Sequence, residues 1–221
     1  MSLMMNEIII LGVGSATSVF MDWALSSGFS VVGLYHYNSE RTGDIIHGYE
    51  ILGSFDDLFS RDIKGKLFML SMGDMKIRKT LTDKIKQKGG VLPTIVHPTA
   101  IVSKFANVSN EGVIIGPYSI IQSDVTICEG VVIWDATLIC HTTKINNFVF
   151  VGPQNLVGAN LIIEPYVFIG QRSLLISGKA CCIGEDSLIG AGAVVTKTIN
   201  KNRKVVGFPA KEIGFNNRNN E

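Results

Sequence analysis

"IGPYSIIQSDVTICEGVVIWDATLICHTTKINNFVFV", residues 115–151, counts in sixes. Ile115, Ile121, Ile127, Ile133, Ile139, Ile145 and Val151 share one phase, and Val157, Ile163, Ile169 and Leu175 continue it. A six-residue beat is neither helical spacing nor plain strand alternation. It reads as a short strand, a corner and another short strand, wound into a solenoid with the beat residues stacked inside. Four residues after most beats stands a small or β-branched side chain: Ser119, Val125, Val131, Thr137, Thr143, Val149, Val167 and Ser173. Glycine directly follows Ile115, Val151, Val157 and Ile169. The phase slips by two at "LISGKACCIG" and resumes at Ile183, Ile189 and Val195, while Val102 and Val108 extend it upstream by about one coil. His141 falls two residues past a beat, off the inward row.

The first half of the chain follows a different pattern. "EIIILGVG" is a short apolar run ending in glycines, a buried strand and a tight turn. "SATSVFMDWALSSG" has apolar Val19, Phe20, Trp23 and Ala24 at helical spacing and stops at Gly28. "FSVVGLYHY" reads as a second strand, "SFDDLFSR" as a short helix, "KLFMLSMG" as a third strand and "MKIRKTLTDKIKQKGG" as a full helix. Strands alternating with helices imply a small parallel sheet with helices packed on it.

Composition narrows the function classes. With 46% hydrophobic and 18% charged residues and a net charge of +1, nothing attracts nucleic acid or an anionic membrane. The mean hydropathy of +0.30 is positive, yet Gly, Ser and charges interrupt every apolar run before it could span a bilayer. No secretory signal opens the chain, and a cytoplasmic location is expected. Cys128, Cys140, Cys181 and Cys182 form no CxxC pair and read as reduced, buried thiols.

The sextets resemble those of the hexapeptide-repeat acyltransferases, and "VVGFPAKEI" (205–213) looks like that superfamily's closing motif. "IIILGVGSATSVF", "MGDMKIRKTL" and "HPTAIVS" narrow the resemblance to the sialic-acid O-acetyltransferase and nucleotide-amino-sugar N-acetyltransferase family of bacterial surface-glycan pathways. The resemblance implies a small α/β Rossmann-like domain over 1–92, a left-handed parallel β-helix of hexapeptide repeats over 93–213, and a flexible tail over 214–221. It implies homotrimers, acetyl-CoA as co-substrate, a nucleotide-sugar acceptor and no metal. His141 stands where the family's general base does, and imidazole can take a proton near neutral pH. The family commonly places an acid after that histidine; this chain has Thr142, a hydroxyl that can accept a hydrogen bond but supplies no charge. Another carboxylate, with Asp135 the candidate, supplies it; or the base is weaker; or the reaction differs. Phe150 replaces a second histidine common in relatives, and the matching coenzyme contacts fall at Gln171, Ala191, Pro209 and Lys211.

Gly12, Gly14, Ser15 and Ala16 form a strand-to-helix turn whose N–H groups could meet a phosphate. It is an incomplete dinucleotide fingerprint, because Thr17 replaces the third glycine and "LYHY" lacks the acid that grips a ribose. In the resembled family the turn holds the nucleotide-sugar and Gly73 lines the same crevice. Arg78 is a phosphate candidate or a solvated helix charge. Tyr35 and His36, at the carboxyl end of the second strand, are base or ribose candidates or surface residues. The leading expectation is N-acetylation of a nucleotide-linked amino sugar. The alternatives are O-acetylation of a sialic-acid-like sugar and a non-catalytic trimeric scaffold. A carbonic anhydrase on the same β-helix needs three zinc-binding histidines, and of His36, His47, His97 and His141 only the last lies in the main sextet run.

Overall fold

A computed structural model describes residues 6–216; the remainder of the expected tail, residues 217–221, lies outside them. The chain forms two compact units, Met1–Pro98 and Thr99–Glu221, dividing later than the boundary after residue 92 expected from the sequence.

In the N-terminal unit the elements are β1 (Asn6–Leu11), α1 (Thr17–Ser26), β2 (Phe29–His36), β3 (Ile45–Ile46), β4 (Tyr49–Ser54), α2 (Phe55–Phe59), β5 (Leu67–Leu70) and α3 (Met75–Gln87). The sheet order is β3-β4-β2-β1-β5, parallel except for β3, which is antiparallel to β4. Ile8, Ile10, Leu11, Leu34, Ile51 and Phe68 are buried along its centre. Phe20, Trp23 and Ala24 turn α1 inward as their spacing predicts, whereas Val19 stays exposed. The sheet is mixed, not the three parallel strands expected. The missed pair β3–β4 turns on His47-Gly48, both at positive φ (50° and 87°), the geometry of a two-residue hairpin turn. That turn usually announces itself with Asn-Gly or Asp-Gly, and histidine hides it.

The second unit is a parallel β-helix of two-residue strands. Three ladders form its walls. The first runs through Ile101–Val102, Ile120–Ile121, Leu138–Ile139, Leu156–Val157, Leu174–Leu175 and Val194–Val195. The second runs from Asn107–Val108 through Lys144–Ile145 to Cys182–Ile183, and the third through Ile114–Ile115, Val132–Ile133, Phe150–Val151, Phe168–Ile169 and Leu188–Ile189. The register Ile121↔Ile139↔Val157 fixes 18 residues per coil, and the two-residue slip appears as Leu175↔Val195. Every beat residue from Ile115 to Leu175 is buried.

The corners explain the rest of the six-residue rule. Each holds one residue in the left-handed region: Tyr118, Asp124, Gly130, Ala136, Thr142, Phe148, Gln154 and Asn160 follow one another at six-residue intervals. The small side chains after the beats are buried inside the turns, and several hydroxyls bond along the axis. Thr137 Oγ1 donates to Gly152 O (3.0 Å) and accepts from Asn155 N (3.2 Å), and Asn155 Oδ1 accepts from Ser173 N (2.7 Å). A Cβ at Gly170 would come within 2.7 Å of Ala191 N, so that position admits no side chain without movement of the next coil.

The final strands, Arg203–Val206 and Lys211–Phe215, pair antiparallel. The expected tail therefore begins later than residue 214, since Gly214 and Phe215 are still laddered to Lys204 and Arg203. The four cysteines are free, but Cys181 is exposed and the others half-buried, a correction to the buried set expected. Burial raises the Cys140 thiol pKa and, with Glu164 and Cys181 adding, that of Cys182. No described helix is long and apolar enough to cross a membrane.

Candidate active site

His141 stands exposed on the corner between the first and second walls of the β-helix, in register with Ser123 below and Ala159 above. Its backbone N–H donates to Gln122 Oε1 (2.9 Å), and its carbonyl accepts from Asn160 N (3.2 Å). Nδ1 lies 3.2 Å from Thr142 Oγ1, the ring's hydrogen-bond partner among the described residues. When that hydroxyl accepts from Nδ1–H, the bare lone pair is on Nε2 and faces outward, the arrangement a general base requires. Gln122 was not singled out from the sequence; with 18 residues per coil, a polar side chain one coil below was the available signal.

Asp135 sits on a different corner, between the third and first walls, at the opposite end of Leu138–Ile139 from His141. No hydrogen bond or ion pair joins it to His141 among the described residues. Gln171 and Ala191 share Asp135's corner, with Gln171 O accepting from Gly192 N (2.8 Å). Phe150 lies on the third wall beside that corner, stacked on Phe168 (4.7 Å between centroids, planes 1° apart) and tilted against Trp134 at 6.2 Å. The Gly207–Ala210 turn, which contains Pro209 and precedes Lys211, is tied to the first wall: Val194 N donates to Gly207 O (3.0 Å) and Ala210 N to Val194 O (2.8 Å). One chain thus brings Phe150, Gln171 and Ala191 to one edge and places His141 and Thr142 on the next.

In the N-terminal unit, a cavity of about 270 Å³ is lined by Gly12, Val13, Gly14, His36, Tyr37, Phe55, Ser71, Met72 and Ile77. The glycine turn is held from within. Thr17 Oγ1 accepts from Gly14 N (2.8 Å) and donates to Gly12 O (3.2 Å), and Ser71 Oγ donates to Gly12 O (2.5 Å). Thr17 therefore does structural work where a dinucleotide motif has its third glycine. Ala16 is the N-cap of α1 and offers no side-chain cap, and Ser15 is exposed beside it. Gly73 is exposed next to Met72 but does not line the cavity.

Two expected ligand contacts are displaced. Tyr35 is 2% exposed and packs in the core with Leu11, Phe59 and Phe68, because alternation along β2 turns it under the sheet while His36 faces the cavity. Arg78 is neither a solvated charge nor a surface phosphate contact. It is fully buried on the inner face of α3, with Nη1 donating to Leu70 O (2.5 Å), and burial pulls its pKa down to about 9. Tyr37, Phe55, Ser71 and Met72 escaped the sequence reading, although the end of β5 and the residue after His36 are where an open α/β sheet gathers ligand contacts.

Corner, coil and repeat define a β-helix of six-residue repeats, and the chain's likeness in sequence and in fold lies among acyltransferases. No family model matches the chain. The acyl-[acyl-carrier-protein]–UDP-N-acetylglucosamine O-acyltransferase of Chlamydia caviae is 26% identical over 123 residues, covering 56% of this chain and 43% of that protein. The chain thus spans less than half the length of that curated relative. Among solved structures, a mutant of perosamine N-acetyltransferase from Caulobacter crescentus, in complex with CoA and GDP-perosamine, superposes with a TM-score of 0.86 at 22% identity, covering 97% of this chain and 100% of that one. The acetyltransferase domain of PglB from Neisseria gonorrhoeae, with acetyl coenzyme A, gives 0.72 at 22% identity, covering 95% and 100%. At these identities the likeness establishes the fold.

Proposed function

We propose that the chain is an acetyl-CoA-dependent acetyltransferase that N-acetylates a nucleotide-linked amino sugar. The observation that carries this is the exposed His141 on a β-helix corner, its Nδ1 within reach of a hydroxyl and its Nε2 without a hydrogen-bond partner among the described residues. The neutral amine of the sugar attacks the thioester carbonyl, a C–N bond forms, and Nε2 takes the proton the nitrogen sheds. As the C–S bond breaks, the same proton passes from His141 to the departing sulfur, leaving an amide and CoA.

The coenzyme contacts assigned to Phe150, Gln171, Ala191, Pro209 and Lys211 lie on a neighbouring edge, so the two halves of the chemistry flank the first wall. Along that wall's outward row Ile101, Ile120 and Leu156 are at least 38% exposed, and Leu138, Leu174 and Val194 are half-buried. A homotrimer that buries this apolar face sets one chain's His141 against another's coenzyme edge, and the site is complete only between subunits. The glycine turn with its uncapped α1 takes the nucleotide's phosphates. The similarity to a fold known with CoA and GDP-perosamine supports both ligands.

Release of CoA is the test, with acetyl-CoA and a panel of nucleotide-linked amino sugars. An alkali-stable amide product is expected. An alkali-labile ester supports the O-acetylating alternative, and no turnover with any acceptor supports the scaffold.

A further inference from the structure

The cavity at the end of β2 contains an unusual group. His36 is 7% exposed and lines the cavity, and its Nδ1 is sealed from solvent with no hydrogen-bond partner. A proton on Nδ1 would be a buried, unpaired N–H, which folded proteins rarely tolerate; an unpaired acceptor is the lesser cost. The proton therefore resides on Nε2, the ring nitrogen not sealed off. Burial, reinforced by Arg41 and opposed by Glu40, lowers the ring's pKa and so favours the neutral form. The cavity is thus offered one oriented N–H donor in an otherwise largely apolar wall.

The surrounding groups suit a flat ring carrying a phosphate. Tyr37 stands 65% exposed with its centroid 4.3 Å from that of His36, and Phe55 and Met72 supply apolar wall. Next to them the N–H groups of Val13, Ser15 and Ala16 make no hydrogen bond within the described chain, and α1 lacks a side-chain cap.

We infer that His36 reads the nucleobase, donating from Nε2 to a ring carbonyl, so that the site selects bases whose distal edge carries a carbonyl over those carrying an amine there. Uracil, thymine and guanine belong to the first class, cytosine and adenine to the second. The inference rests on the proposal that this unit holds a nucleotide. An amine on the distal edge would set its N–H against the Nε2–H and leave both unpaired, a mismatch that a hydrogen-bonding site rejects strongly.

Calorimetric titration of the full chain with UDP, GDP, CDP and ADP tests it. UDP or GDP should bind at least about 10-fold more tightly than CDP and ADP. His36→Leu should level the four to within about threefold, while His36→Gln, which keeps an N–H donor, retains most of the preference. Equal binding of all four by the wild type overturns the inference and leaves the nucleotide site standing. A preference that survives in a folded His36→Leu overturns it as well. Should His36→Leu not fold, the same comparison in His36→Ala decides. Binding of none of the four overturns the nucleotide site itself, and the inference with it.

Discussion

Thr142 is the one β-branched residue among the described non-glycine residues at positive φ, held at 61° on the corner beside His141. A branched side chain there costs roughly 1–2 kcal/mol, and its hydroxyl contact with Nδ1 is the feature that offsets the strain. Thr142→Asn should therefore raise Tm by a few degrees, a shift of the size about 1 kcal/mol produces. Thr142→Val keeps the branch but loses the hydroxyl, and should lower kcat about tenfold with the KM for acetyl-CoA unchanged, while Thr142→Ser restores the rate. The sequence showed that an acid was missing after His141; it could not show that the substitute occupies a left-handed corner, since the corners take residues as unlike as Tyr118, Ala136, Phe148 and Arg172. His36 yields a pH prediction. Its folded pKa lies below the ordinary histidine value, so the unfolded chain binds the proton more readily. Its contribution to stability is whole above about pH 6.5 and lost as pH falls through the lower, folded value. Thermal melts across this range should lose part of their acid slope in His36→Gln.

Within the coils, polar ladders matter as much as the aliphatic beats. Thr137→Val should destabilise the β-helix by about 1–3 kcal/mol, because Gly152 O and Asn155 N both lose a buried partner, and chemical denaturation measures it. The beats were legible because stacked coils repeat one environment: each wall needs an inward aliphatic at the same phase. The N-terminal elements were legible where periodicity ran long, as in α3, and not where it was short. In the β3–β4 hairpin two strand residues and a His-Gly turn leave almost no pattern. Arg78 was misread because a guanidinium on a lysine-rich helix looks solvated. Its partner, the Leu70 carbonyl, is a main-chain group that no side-chain pattern announces.

Across the whole molecule, the proposed function requires chains to associate, because the edge proposed for the coenzyme and the His141 edge are separate on one chain. Sedimentation should show a trimer, and Leu156→Lys, which charges the exposed apolar wall, should yield folded monomers that have lost turnover. Activity in that monomer would place the whole site within one chain. The expected acceptor class came from resemblance, whereas the separation of the two edges became visible only when the coils were stacked. The central claim is that His141 is the general base. Steady-state kinetics of His141→Ala, paired with calorimetric titration of acetyl-CoA, tests it most directly. The account predicts kcat lower by about 10²- to 10⁴-fold with coenzyme affinity near that of the wild type. A variant that turns over within a few-fold of the wild-type rate would contradict it and place the base elsewhere.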